Sequence, residues 1–271
     1  MYLAQVKFGR AKTRSNRDDF ENTAESYLVS LLRNGQLCGE YVFGWIKNYL
    51  IAYAYLARPN ATKENFHSKW TKRCLTELFR VSGTKPIWKL LADETPVHFP
   101  SWKTAPSLCL FTAWTIHDPP VVRNDIGTPI PAYLLPLSEK QRDEIYSWAY
   151  SYRNHDSIWT ESGYLEIPAY KELVEPTSEL SEYGRHICRT IEKATGIPSF
   201  YYLFRYWGRK NEDTSRLCPG CGKKWVVKSE KEPKKSFWDF PYQCKKCRLV
   251  SDHACIDDDA RYARIGEYKF K

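Results

Sequence analysis

Residues 37–56 read Leu37-Cys38-Gly39-Glu40-Tyr41-Val42-Phe43-Gly44-Trp45-Ile46-Lys47-Asn48-Tyr49-Leu50-Ile51-Ala52-Tyr53-Ala54-Tyr55-Leu56. Two runs rich in aromatic and β-branched residues flank Lys47-Asn48, a hairpin-length turn, so the stretch predicts strands over 37–46 and 49–56. Upstream, Tyr2, Ala4, Val6 and Phe8 alternate as a half-buried strand does. Between them Asp18-Asp19 opens a helix with its apolar stripe at Phe20, Ala24, Tyr27, Leu28 and Leu31, closed by Asn34-Gly35. Downstream, a second helix is expected over 62–81, with Phe66, Trp70, Cys74 and Leu78 on one face and Gly83 as its stop. Further strands follow at 87–91 and 108–116. The order β-α-β-β-α-β is that of a ferredoxin-like α+β unit, an antiparallel sheet with two helices packed on one face. The strand at 108–116 would extend it.

Residues 117–137 hold five prolines, which predicts a surface excursion without regular structure. Helices are expected at 138–154, capped by Ser138, and at 177–195, ending at Gly196. Then comes an aromatic run, Phe200, Tyr201, Tyr202, Phe204, Tyr206 and Trp207, interleaved with Arg205 and Arg209. Such a run can stack bases, but beside a domain junction it reads first as packing. The expected division is an α+β body at 1–204 and a basic C-terminal domain at 205–271.

That second domain carries Cys218-Pro219-Gly220-Cys221, twenty-two intervening residues, and Cys244-Lys245-Lys246-Cys247. Two CxxC knuckles can place four thiolates tetrahedrally around one structural zinc ion, a C-terminal four-cysteine zinc ribbon. Gly220 and Gly222 are expected to supply positive φ where the backbone wraps the metal. Trp225 and Trp238 would form the ribbon's small core. Neither knuckle follows a strand of a βαβ unit, as a thioredoxin-type redox site would. Because metal binding and ribbon folding are one event, a chelator should unfold the tail and leave the body folded. The other five cysteines, Cys38, Cys74, Cys109, Cys188 and Cys255, lie scattered and read as reduced buried thiols of a cytoplasmic protein.

Across 271 residues the net charge is +9. From Arg205 to Arg248 there are thirteen Lys/Arg against five Asp/Glu, a balance of +8, so the body is nearly neutral. A basic ribbon can follow nucleic-acid phosphates or form a solvated surface. The longest apolar stretch, 49–57, is too short to cross a bilayer, and no membrane partner is expected.

No motif for catalysis stands out. The chain has no GxGxxG, no GxxxxGK[ST], no GxSxG and no HExxH, and none of its six His is followed two residues later by Glu. His186 and Cys188 lie two apart on a helix and point apart, so they form no nucleophile–base pair. His253 and Cys255 could replace a metal ligand, and His117-Asp118 could orient an imidazole, though a turn is the plainer reading. The expectation is that the protein is not an enzyme.

Leu217-CPGCGKKW-Val226, FWDFPYQCKKCRLVS at 237–251 and Asn34-Gly35-Gln36 resemble a bacterial zinc-ribbon-containing family of unknown function, described as possibly nucleic-acid-binding. Proteins resembling that family also occur as immunity proteins of Rhs-type polymorphic toxins, including ADP-ribosyltransferases. The resemblance implies an immunity protein that occludes the active site of a cognate toxin in a one-to-one complex, with nucleic-acid binding through the ribbon as the alternative. Immunity proteins against nucleases tend to be acidic, whereas this chain is basic, which fits a toxin of another class. For a blocker, the proline loop from His117 to Pro136 is the expected interface, with Ile126, Ile130, Tyr133 and Leu134 as anchors. The lysine-rich stretch from Lys223 to Lys235 is the rival.

Overall fold

The computed structural model describes residues 1–11, 17–91, 100–205, 207–208, 217–225, 240–252 and 255–256. The chain divides into two units. The first draws its described residues from 1–98, 117–119 and 131–146, and the second from 99–116, 120–130 and 147–271.

The first unit is α+β. Strand β1 (Tyr2–Arg10) leads to helix α1 (Arg17–Arg33), β2 (Leu37–Ile46), β3 (Tyr49–Leu56), α2 (Lys69–Ser82) and β4 (Ile87–Leu90). The sheet runs β2-β3-β1-β4 and every neighbouring pair is antiparallel. Alternation along β1 sends Ala4, Val6 and Phe8 inward, where they join Phe20, Tyr27, Leu28 and Leu31 of α1 and Leu78 of α2 in one core. The hairpin 37–56 has the strand limits that the sequence predicts.

Helix α2 starts later than expected. Ser68 caps it, its Oγ accepting from the Thr71 N–H at 3.0 Å, and Gly83 closes it at φ 74°. The stretch before it serves a different purpose. The Asn34 amide donates to the Phe66 carbonyl at 2.9 Å, and the Gln36 amide donates to the Ala61 carbonyl. Asn34 and Gln36 are both buried, so this stretch provides acceptors that two interior amides need.

The second unit holds β5 (Leu108–Leu110), β6 (Val121–Arg123), α4 (Glu166–Val174), α5 (Glu179–Thr195), β7 (Ser199–Tyr202), β9 (Tyr242–Cys244) and β10 (Leu249–Ser251). Helix α3 (Glu139–Glu161) contributes residues 147–161 to this unit and 139–146 to the first. The mixed sheet runs β6-β5-β7-β10-β9, with β7 parallel to both neighbours and antiparallel strands at the edges. A separate pair joins β8 (Trp207–Gly208) to β11 (Cys255–Ile256). Cys109, Val122, Phe200, Tyr202, Phe240 and Val250 cluster in the core.

Two expectations are corrected here, the strand at 108–116 and the five-proline excursion, and two further findings stand beside them. The strand at 108–116 is only three residues long and belongs to the second sheet. The chain turns away after Leu110, where the Asp156 carboxylate accepts the Trp114 N–H at 2.8 Å. The expected boundary at 204/205 falls inside the second unit, because Leu249 and Val250 of β10 pair with Tyr201 and Tyr202 of β7. Helix α4 went unforeseen because Pro168 lies in its first turn, where the missing N–H has no intrahelical partner to lose. Finally, the five-proline segment is not an excursion. It contains β6, an edge strand, which is where flanking prolines are tolerated, and Ile130, Tyr133, Leu135 and Leu137 are buried. Tyr133 packs on Phe66 at 4.9 Å between ring centroids, inside the first unit's core. Two of the four expected anchors, Ile130 and Tyr133, are therefore unavailable to a partner.

Candidate metal centre

The two knuckles come together through backbone that the second sheet positions. Strand β9 ends at Cys244 and β10 begins at Leu249, opposite it in register, so Cys244 and Cys247 sit at a hairpin turn. The first knuckle is its own small hairpin. Cys218 N–H donates to the Lys223 carbonyl at 2.7 Å and Gly222 N–H to the Cys218 carbonyl at 2.8 Å. The two are tied where Gln243 N–H donates to the Trp225 carbonyl at 2.8 Å, and the buried Trp225 ring lies 5.2 Å from that of Tyr242. Trp238, His253 and the stretch 226–239, with most of the lysine-rich stretch expected as the rival interface, lie outside the described residues. Cys255 is described only as backbone of β11.

The knuckles follow one conformational rule. The residue after the second cysteine is left-handed in both, Gly222 at φ 66° and Arg248 at φ 57°. Glycine occupies that region freely, whereas an arginine there is strained by about 1–2 kcal/mol. Gly220, expected to supply positive φ, does not. A Cβ on it would lie 2.9 Å from the Cys247 sulfur, so it is glycine because the two knuckles approach closely.

The sulfurs of Cys218, Cys221, Cys244 and Cys247 all lie within 4.8 Å of one another, and those of Cys221 and Cys244 are 3.7 Å apart. A tetrahedral ion bound at ~2.3 Å by four thiolates would separate them by about 3.8 Å. The four residues fit a metal ion. Burial holds the Cys218 thiol well above its usual range and pushes Cys247 up to about 11. Cys221 is drawn down to about 7, first by the Lys223 N–H donating to its sulfur. A cation arriving at the cluster would displace a proton most readily from the half-buried Cys221, and the remaining thiols would ionise as ligands.

Against this centre lies a cleft of about 530 Å³. Its walls are Gly220, Cys221, Lys246, Cys247 and Arg248 from the knuckles, and Arg185, Arg189, Glu192 and Lys193 from α5. Arg185, Arg189 and Lys193 recur every four residues and so share one helix face. That spacing is present in the sequence, but nothing in it points to facing partners that lie in a distant segment. Glu192 accepts from Arg248 at 2.5 Å, and Arg185 donates to the Pro176 carbonyl at 2.7 Å. Arg189, Lys193 and Lys246 are exposed. Five cations thus face one carboxylate among the described lining residues.

Other residues weighed from sequence take structural places. His186 is exposed while Cys188 is fully buried, on opposite faces of α5. Cys38, Cys74, Cys109 and Cys188 are buried, and burial raises the Cys109 and Cys188 thiols far from ionisation. Phe200, Tyr201 and Tyr202 of the aromatic run are core residues. His117 lies against Gly39 within the first unit, where a Cβ on Gly39 would stand 3.2 Å from its own. Among the described residues no helix is long and apolar enough to cross a membrane.

The fold and this site define an α+β protein with a four-cysteine centre able to hold a metal ion. Residues 103–204 match a model described as Domain of unknown function (DUF2310), and residues 208–256 a second, Domain of unknown function (DUF8594). An uncharacterized protein of Haemophilus influenzae is 31% identical over 264 residues, covering 93% of this chain and 98% of its own length. The chain belongs to the family of that protein. Another uncharacterized Haemophilus influenzae protein is 32% identical over 155 residues, covering 56% of this chain and 71% of its own. The two matched segments part between 204 and 208, where the composition changes, although strands on either side of that point pair with each other.

Proposed function

We propose that this chain is a binding protein for nucleic acid, built from a ferredoxin-like unit and a unit organised by a four-cysteine site of the zinc-ribbon type. The cleft beside the knuckles carries the reading. Its five cations converge from α5 and from the second knuckle, three of them exposed, around one concave surface where a phosphate backbone would meet them. Zinc suits the centre, since four thiolates in a tetrahedron are its commonest closed structural shell. When bound, it would hold the knuckles and leave no coordination position for a substrate, so the ion's part is architectural. Lys246 and Arg248 would then present their charge to the groove between the second knuckle and α5.

The immunity reading keeps the sequence resemblance as its support, but two of the four anchors of its expected inhibitory loop, Ile130 and Tyr133, are buried. Nucleic acid is therefore the partner class that the described surface favours. The test is fluorescence anisotropy of a labelled oligonucleotide titrated with the zinc-loaded full chain over a range of salt. Binding should weaken linearly in log[salt], and Arg189→Ala with Lys246→Ala should lower the slope by roughly 1.5–2. A salt-independent affinity, or a slope unchanged in that variant, would remove the cleft from consideration.

A further inference from the structure

We infer that the open face of the four-stranded sheet in the first unit is a stacking platform for single-stranded nucleic acid. The inference rests on the nucleic-acid reading for its partner class and adds a second surface and a strandedness to it. Strand β3, next to the centre, turns Leu50, Ala52, Ala54 and Leu56 into the core. Of the alternate residues on the other side, Ile51 is buried, and Tyr49, Tyr53 and Tyr55 are 38%, 40% and 43% exposed. Their neighbours on β1 hold two of the rings in place. Gln5 lies opposite Tyr53 and donates to its hydroxyl at 2.9 Å, and the Lys7 ammonium sits 4.1 Å from the centroid of the Tyr49 ring. Lys89 of β4 pairs with Gln5 and extends the row.

Charge favours this occupant over the others. Strands β1, β3 and β4 contain no Asp or Glu but carry Lys7, Arg10 and Lys89, and the edge strand β2 carries one acid, Glu40. A second copy of the chain would bring these cations against one another. A protein partner would have to bury lysines, which are depleted at interface cores. Phosphates are attracted to them, and every base has a π-face to lay on tyrosine. Spacing selects the single strand. Tyr53 and Tyr55 are two residues apart on a strand, about 6.8 Å, whereas bases in a stacked duplex repeat every ~3.4 Å. Only bases splayed out of a stack can meet both rings.

The experiment titrates the zinc-loaded full chain into labelled oligo(dT), oligo(U) and a duplex of equal length at low salt. Three variants are compared: Tyr53→Ala with Tyr55→Ala, Tyr53→Phe with Tyr55→Phe, and Arg189→Ala with Lys246→Ala. Circular dichroism serves as the folding control. The platform requires preference for the single strand, a loss of about tenfold or more in the alanine pair, and near-wild-type affinity in the phenylalanine pair, which keeps the rings. Alanine-pair binding equal to wild type, equal loss in the phenylalanine pair, preference for duplex, or a wild-type dimer that the alanine pair dissolves would each overturn it. If only the cleft variant weakens binding, the platform falls and the proposed function stands. If only the tyrosine variant does, the platform stands, nucleic acid remains the partner class and the cleft is removed as its site, and a wild type that binds none of the probes ends both.

Discussion

At the scale of single residues, two positions show packing and backbone geometry overriding propensity. Gly184 lies inside α5, where alanine would be the better helix former by about 1 kcal/mol. Yet a Cβ there would overlap the Tyr201 ring and come within 2.8 Å of the Trp148 indole nitrogen. Both rings are fully buried and lie 5.9 Å apart, so neither can yield easily. Gly184→Ala should therefore destabilise the chain by about 1–3 kcal/mol, read as a lower urea midpoint at unchanged slope. A midpoint that rises would mean the rings have room to move. Arg248 poses the opposite balance. Its left-handed backbone opposes an ion pair with Glu192 in which both side chains are partly exposed, at 30% and 26%, and such pairs contribute ~0–1 kcal/mol. Arg248→Gly should leave thermal stability nearly unchanged while lowering the salt slope of oligonucleotide binding by about 1. A large drop in melting temperature would show that the ion pair, not the strain, dominates.

At the scale of elements, the turn after β5 depends on a buried carboxylate. Asp156, in α3, is 4% exposed and receives the Trp114 N–H, and burial raises its pKa above the ordinary carboxylate value despite that bond. A carboxyl whose folded pKa is raised contributes most stability while protonated, below its unfolded pKa. That contribution is lost as pH rises through the folded value. Asp156→Asn keeps an oxygen for Trp114 and removes the charge. Its stability relative to wild type should thus be closest in acid and improve toward neutral pH, as followed by thermal melts at several pH values. An advantage that shrinks as pH rises would show that the ionised form has a stabilising partner. Element by element, periodicity located helices α1, α3 and α5 and the hairpin 37–56, because each buries one face and writes its period into the residues. It overran β5 and started α2 early, since those limits are fixed by Asp156, Asn34 and Gln36 reaching across the fold.

At the scale of the whole chain, the metal centre is coupled to a sheet. Tyr201 N–H donates to the Arg248 carbonyl at 2.7 Å and Leu203 N–H to the Val250 carbonyl at 2.9 Å. Removing the metal should loosen the knuckles and with them β10, which lies between β7 and β9. Chelation followed by hydrogen exchange should speed the amides of Tyr201 and Leu203 by about tenfold or more while those of β1 and β3 keep their protection. Unchanged exchange at 201 and 203 would restore the expectation of a tail that melts alone.

Cys218, Cys221, Cys244 and Cys247 declared the candidate metal centre by themselves, because ligand chemistry is local and CxxC spacing is a geometric constraint legible in one dimension. Alternation in Tyr2–Phe8 and the hairpin likewise announced an antiparallel α+β unit. The cleft was not legible: Arg189 and Lys193 meet Lys246 only because α5 and the second knuckle flank the same parallel pair, β7 and β10. Nor was the fate of the proline segment, since proline forbids helix and central strand but is silent about burial. Which side of β3 faces solvent also needed the helices in place. What is local in chemistry or period was determined by the residues alone, and what depends on contacts between distant segments was decided by the tertiary fold, where burial and pairing select among conformations that local preference leaves open.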